Sequence, residues 1–185
     1  MSIIAYSVNF SFDAPAIAGR NEDGFTLHKK TKRSLPLDFV AGDSFVLVSE
    51  RVMLALSELE WEGVTLAGVR VDGATTSLYQ LSVNVFVECL EKKESRIIYA
   101  PDDSGKILWV SQPKLILDKM NASGLFRVPE MPSRLFCTRD FVDLVLEREF
   151  TGVYFEDPKE ELFGNPRPLF GTPLGTKLKQ GAFKA

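Results

Sequence analysis

The sequence predicts one α+β domain, a mixed and mostly antiparallel sheet of short strands with a few helices packed on it. Three observations predict this. Short apolar runs rich in β-branched and aromatic residues are separated by Gly, Pro and Asp turn signals, which is strand grammar. One phrase occurs twice: "CTRDFVDLVLEREFTGVYFED" (Cys137–Asp157) repeats "VSERVMLALSELEWEGVTLAG" (Val48–Gly68) 89 positions on, without a gap. Finally, 185 residues that are 45% hydrophobic, with 14 Phe, suffice for one buried core and exclude a disordered chain.

The elements follow in chain order. "SIIAYSVNF" reads as a strand, "GRNEDG" as a turn, and "FTLHKKTKRSLPLDF" as an extended segment. "FVLV" (Phe45–Val48) is a short buried strand. Ser49 is placed to cap a helix, because its hydroxyl can accept from a free amide of the first turn. Val52, Met53, Leu56 and Leu59 then recur at helical spacing, and Gly63 ends the helix in a left-handed conformation. "VTLAGVRV" is the next strand, and Leu78–Leu90 reads as one long strand. "RIIYA-PDDSG-KILWV" is a hairpin. "PKLILDKMNASG" is a short helix or strand that stops at Gly124, and "LFRV" is a strand.

The phrase then returns. "RLFC" is strand, Thr138 caps, and Asp140 suits the positive end of the helix dipole. Phe141, Val142, Val145 and Leu146 form the buried stripe, Gly152 ends the helix, and "VYFE" is strand. Glu58/Glu147, Glu60/Glu149, Gly63/Gly152 and Val64/Val153 are identical between the copies. The phrase is strand, capped helix, Gly stop, strand, so its content is packing rather than chemistry. Two readings of it stay open: a generic likeness, or a duplicated unit placing two helices on one sheet. The domain spans residues 1–157. Residues 158–185 form a Pro/Gly-rich C-terminal tail whose Leu162, Phe163, Leu169, Phe170 and Leu174 would pin it to the domain or to a partner.

Composition narrows the function. A net charge of −3 gives no general attraction to nucleic acid or anionic membrane. No apolar run reaches the roughly 18 residues of a membrane span, and the opening lacks the pattern of a secretory signal. Cys89 and Cys137 are too few for a disulfide framework, so a reduced, cytoplasmic protein is expected. One histidine, His28 in "TLHKKTKR", leaves little material for a zinc site or a His-dependent nucleophile. The carboxylate pairs Asp102–Asp103, Glu156–Asp157 and Glu160–Glu161 read as turn and surface charge. Cys137 precedes a helix start, but its counterpart in the first copy is Val48, so a buried thiol is expected there and at Cys89. The basic run His28–Arg33 with Lys177, Lys179 and Lys184 reads as a solvated face, and "GTPLGTK" has the wrong spacing for a phosphate loop. No catalytic residue, metal or cofactor is expected.

Three ordered phrases carry a resemblance: "LVSERVMLALSELEWEGVTL", "LYQLSVNVFVECLEKKESRI" and "GLFRVPEMPSRLFCTRDFVDLVLEREFTGVYFED". They resemble the bacterial immunity-protein family eleven over about residues 45–157. Tyr79, Leu81, Val85, Val87, Glu88, Cys89, Leu90, Glu91 and Ser95 match its middle motif, with Asn84 one place before Val85 and with Glu88 and Glu91 where Asp is usual. The resemblance implies a non-enzymatic protein. It would bind a cognate polymorphic-toxin domain, often a nuclease used between competing bacteria, and neutralise it in the cytoplasm of the producing cell, without nucleic-acid or membrane partners. An inhibitor of a basic nuclease site gains from an acidic face. Charge and expected exposure nominate Glu58, Glu60, Glu62, Asp102, Asp103, Glu156 and Asp157 as partner-binding residues. A regulatory or structural binding module with another partner, and a small enzyme of unrecognised type, are the alternatives.

Overall fold

A computed structural model describes residues 5–10, 16–21, 24–29, 38–41, 45–72, 74, 76–102, 104–116, 124–159 and 170–171. The elements in chain order are β1 (Tyr6–Phe10), β2 (Ala16–Asn21), β3 (Gly24–Lys29), β4 (Phe39–Ala41), β5 (Val46–Ser49), α1 (Glu50–Ser57), β6 (Val64–Val69), β7 (Val71–Asp72) and β8 (Leu78–Val83). They continue with β9 (Arg96–Tyr99), β10 (Ile107–Ser111), β11 (Leu125–Val128), β12 (Met131–Cys137), α2 (Arg139–Glu147), β13 (Val153–Glu156) and β14 (Phe170–Gly171). Among the described residues, two helices and many short strands make the chain an α+β protein.

The two helices start where the sequence indicates. Ser49 is extended, caps α1, and accepts from the Val52 amide at 3.4 Å. Val52, Ala55 and Leu56 are its buried stripe, as Phe141, Val142 and Val145 are for α2. The stops differ from expectation. α1 ends at Ser57, so Leu59 lies beyond the helix and is 41% exposed; Leu146, on the outer side of α2, is 39% exposed. The left-handed residues that turn the chain out of the helices are Glu60 (φ 45°) and Glu149 (φ 51°). Gly63 (φ 67°) and Gly152 (φ 89°) come three residues later and immediately precede the next strand. Close approach explains these glycines as much as φ does. A Cβ on Gly152 would lie 2.5 Å from the Phe39 carbonyl oxygen, and one on Gly63 would lie 2.5 Å from a Val85 methyl.

The helices do not share one sheet. β5 and β6 belong to a four-stranded sheet ordered β4-β5-β8-β6, and β12 and β13 to a five-stranded sheet ordered β11-β12-β1-β13-β14. In each, the strands before and after the helix are separated by a third strand antiparallel to both: β8 in the first unit, β1 in the second. The registers coincide. Tyr79 faces Val48 as Tyr6 faces Cys137, Leu81 faces Leu66 as Val8 faces Phe155, and Val83 faces Val64 as Phe10 faces Val153. Each unit also opens with a hairpin onto its first strand, β4–β5 and β11–β12. The repeated phrase is a repeated architecture, with its inserted strand taken from after the phrase in one unit and from the N-terminal side in the other.

The units interlock reciprocally around one main core that includes Phe39, Val52, Val48, Cys137, Phe141 and Phe155. Trp61, in the exit loop of α1, stacks edge-on to Phe141 of α2, and its ring occupies the space where Gly124 would carry a Cβ, at 2.3 Å. Phe150, in the exit loop of α2 and 89 positions from Trp61, packs on Phe39 and lies under the guanidinium of Arg51 in α1. The Phe39 amide donates to the Thr151 carbonyl at 3.1 Å.

Leu78–Leu90 is not one strand. β8 ends at Val83, and the chain leaves that sheet to run beside Arg127 of β11, where the Arg127 amide donates to Val85 O and the Val87 amide to Arg127 O, both at 2.8 Å. The segment stays extended with alternating burial, so its local pattern persists while its partner changes. β9 and β10 form the expected hairpin, and within the tail Phe170–Gly171 pairs with β13. Of "PKLILDKMNASG", residues 117–123 lie outside the described residues, as do Lys30–Arg33, Glu160, Glu161, Leu162, Phe163, Leu169, Leu174, the "TPLGTK" part of the loop-like motif, Lys179 and Lys184.

Candidate functional site

A groove of about 590 Å³ lies between the two inserted strands, lined in part by Asn9, Gln80, Ser82, Asn84, Arg127 and Arg134. Its polar groups are braced against the scaffold. Asn9 donates to the Glu156 carboxylate at 2.8 Å, Arg127 donates to the carbonyls of Val83 (3.1 Å) and Pro132, and Arg134 donates to Val110 O (3.4 Å) with its guanidinium over Trp109. Burial lowers the pKa of Arg127 from its usual range. The lining therefore offers amides, hydroxyls and guanidinium groups.

The thiols are buried. Burial, and then the negative charge of Glu130, push Cys89 up to about 11, and burial pushes Cys137 well above the usual thiol range. Neither supplies a thiolate near neutral pH. Among the described residues no group of three His, Cys, Asp or Glu side chains is placed to hold a metal ion. His28 lies on β3 opposite Ile17.

The nominated acids separate into different places. Glu58, Glu60 and Glu62 are exposed together along the exit of α1. The exit of α2 adds exposed Glu147 and Glu149, and Arg148 bridges the two exits through Glu58 at 3.6 Å. The repeat itself signals Glu147 and Glu149, since they are the counterparts of Glu58 and Glu60. Asp102 is exposed on the β9–β10 loop, where hydrogen bonds from Ser104 lower its pKa. Asp103 lies outside the described residues. Asp157 is half-buried and accepts from the Lys159 amide at 2.9 Å. Glu156 is 5% exposed and bound by Asn9, which removes the exposure on which its nomination rested. The sequence reading also missed exposed apolar groups, Leu54 on α1 and Ile98, Tyr99, Leu108 and Trp109 on the β9–β10 hairpin.

Asp38, only 4% exposed, is the centre of a polar cluster. Its carboxylate accepts from Ser49 Oγ (2.9 Å), Arg51 Nη2 (2.7 Å) and the Thr151 amide (2.9 Å). The "SER" stretch of the first unit and the "TG" stretch of the second thus meet on one carboxylate. The sequence matches the Immunity protein family (Imm11) over residues 18–160. The chain belongs to this family. No curated protein matches it.

Within the immunity protein, the middle motif also builds scaffold. Ser95 Oγ donates to Glu91 O at 2.7 Å and accepts from the Lys114 amide at 2.9 Å, while Glu91 Oε1 accepts from the Lys93 amide. Cys89 is buried in a second apolar cluster with Val110, Phe126 and Phe136. These motif residues thus hold the fold. No described helix is long and apolar enough to cross a membrane.

Proposed function

We propose that this immunity protein binds a cognate polymorphic-toxin domain in the cytoplasm and neutralises it by surface contact, without catalysis of its own, and that the toxin is a nuclease. The observation that carries the reading, beyond family membership, is the acidic rim formed by Glu58, Glu60 and Glu62 with Glu147 and Glu149. A nuclease must attract a polyanion, so its site is basic; an acidic rim is complementary and speeds encounter. Asp102, Asp103 and Asp157 are secondary candidates, and Glu156 is withdrawn because it is buried. Family membership suggests this partner.

The test is growth rescue with co-purification, using the toxin domain encoded beside the chain. Rescue and a stable complex are expected. Glu60→Lys with Glu62→Lys should weaken the complex tenfold or more, and unchanged affinity sinks that rim as the contact surface. A binding module with another partner is favoured by one observation, the exposed Ile98, Tyr99, Leu108 and Trp109 on one hairpin. Absence of rescue would turn the reading to that module.

A further inference from the structure

β6 and β13 hold equivalent places in the two units. Each follows its helix, and each pairs with the inserted strand in the same register. Their outer edges differ. β13 is covered by β14, antiparallel, with Tyr154 opposite Gly171 and Phe155 opposite Phe170. β6 ends its sheet, with β8 its one paired strand among the described residues. Burial follows the difference. Val153, Phe155 and Glu156 are buried, whereas their counterparts Val64 and Leu66 are half-buried and Ala67 is exposed.

The β6 edge is straight and undefended. "VTLAGV" carries no charge and no proline, and its six pairs with β8 run without a bulge. Protein sheets usually blunt such an edge with one of these devices, because it templates another strand. The Asn84 amide donates to Gly63 O at 2.9 Å, so by antiparallel alternation the peptide groups of Leu66 and Gly68 face outward. At the far end β3 joins opposite Val71 and Asp72, which limits the open edge to Val64–Val69.

We propose that this edge receives an extended strand of the toxin domain, antiparallel to β6, as β14 lies on β13. The proposal rests on the immunity reading. Antiparallel pairing places the C-terminal end of the incoming strand beside the start of β6, next to exposed Glu60 and Glu62. The strand that fits is therefore uncharged over the paired residues and carries Lys or Arg just beyond them. Main-chain hydrogen bonds hold it, and the glutamates set its direction.

Amide hydrogen exchange on the full chain, alone and with the neighbouring toxin domain, tests this. In the complex the Leu66 and Gly68 amides are expected to slow at least tenfold, while Phe155, already covered, is unchanged. Gly68→Pro, which removes an outward N–H at an edge position, should weaken the complex at least tenfold without changing the melting temperature. A complex whose Leu66 and Gly68 exchange as in the free chain overturns the strand docking and leaves the immunity reading intact. Protection that appears in the chain alone as its concentration rises assigns the edge to a second copy, and overturns the proposal. The absence of both growth rescue and a complex overturns the immunity reading itself, and the strand docking with it.

Discussion

The two strand–helix–strand units share a backbone plan down to the register of their inserted strands, yet they use equivalent positions differently. Ser49 and Thr138 are both helix caps by position. Ser49 caps α1 and donates to Asp38, whereas Thr138 makes no side-chain cap and its hydroxyl accepts from the Gly124 amide at 2.9 Å. Asp38 and Gly124 are themselves counterparts, since their carbonyls accept from the Ser49 and Thr138 amides. At one seam a carboxylate clamps the units; at the other, a glycine makes room for Trp61. Backbone geometry is repeated, while the seam is closed by a polar clamp on one side and an aromatic plug on the other.

The clamp should be the more costly to break. Asp38→Ala strands the Thr151 amide and removes the charged acceptor of Ser49 and of half-exposed Arg51, so a loss of about 3 kcal/mol is expected from the lost charge-assisted hydrogen bonds. Chemical denaturation measures it, and a loss under 1 kcal/mol would show that the seam does not depend on the carboxylate. The plug comes next. Gly124→Ala meets the Trp61 ring at 2.3 Å with φ 82°, and overpacking with a left-handed alanine should cost about 2–3 kcal/mol. Trp61→Leu in that background should recover part of the loss; without recovery, the ring is not the obstacle. The caps rank third. Thr138→Ala leaves a buried amide without its acceptor and should cost about 1–3 kcal/mol, against about 1 kcal/mol for Ser49→Ala as a cap loss. The reverse order in urea melts would mean that Ser49 matters more through Asp38 than through its helix.

Local features were the legible ones. Cap positions, buried helical stripes and the β9–β10 hairpin each depend on a few neighbouring residues, and the sequence displays them. The helix stops were misplaced because Gly is the usual left-handed residue, and here Glu60 and Glu149 take that conformation instead. The inserted strands were not legible. Tyr6 and Tyr79 hold one register site but are 73 positions apart, while the phrase repeats at 89, so no single offset reveals the full unit. The acidic rim was half legible: Glu58, Glu60 and Glu62 proved exposed, but the burial of Glu156 depends on Asn9, far away in sequence. The open edge of β6 depends on which strands pair, which a strand's own residues do not state.

The smallest expected stability change separates scaffold from surface. Glu60 and Glu149 are identical, exposed and left-handed, so each carries roughly 1 kcal/mol of backbone strain that glycine would relieve. Glycine also costs about 0.5–1 kcal/mol in unfolded-chain entropy, so Glu60→Gly and Glu149→Gly should each leave stability within about 0.5 kcal/mol. Their effects on toxin binding should diverge. Glu60 lies at the start of the open β6 edge, while the strand following Glu149 is already covered by β14. Glu60→Gly is therefore expected to weaken the complex several-fold and Glu149→Gly to weaken it less. Equal losses, measured by titration calorimetry on both variants, would mean that the toxin reads the acidic rim as a whole and does not distinguish the two edges.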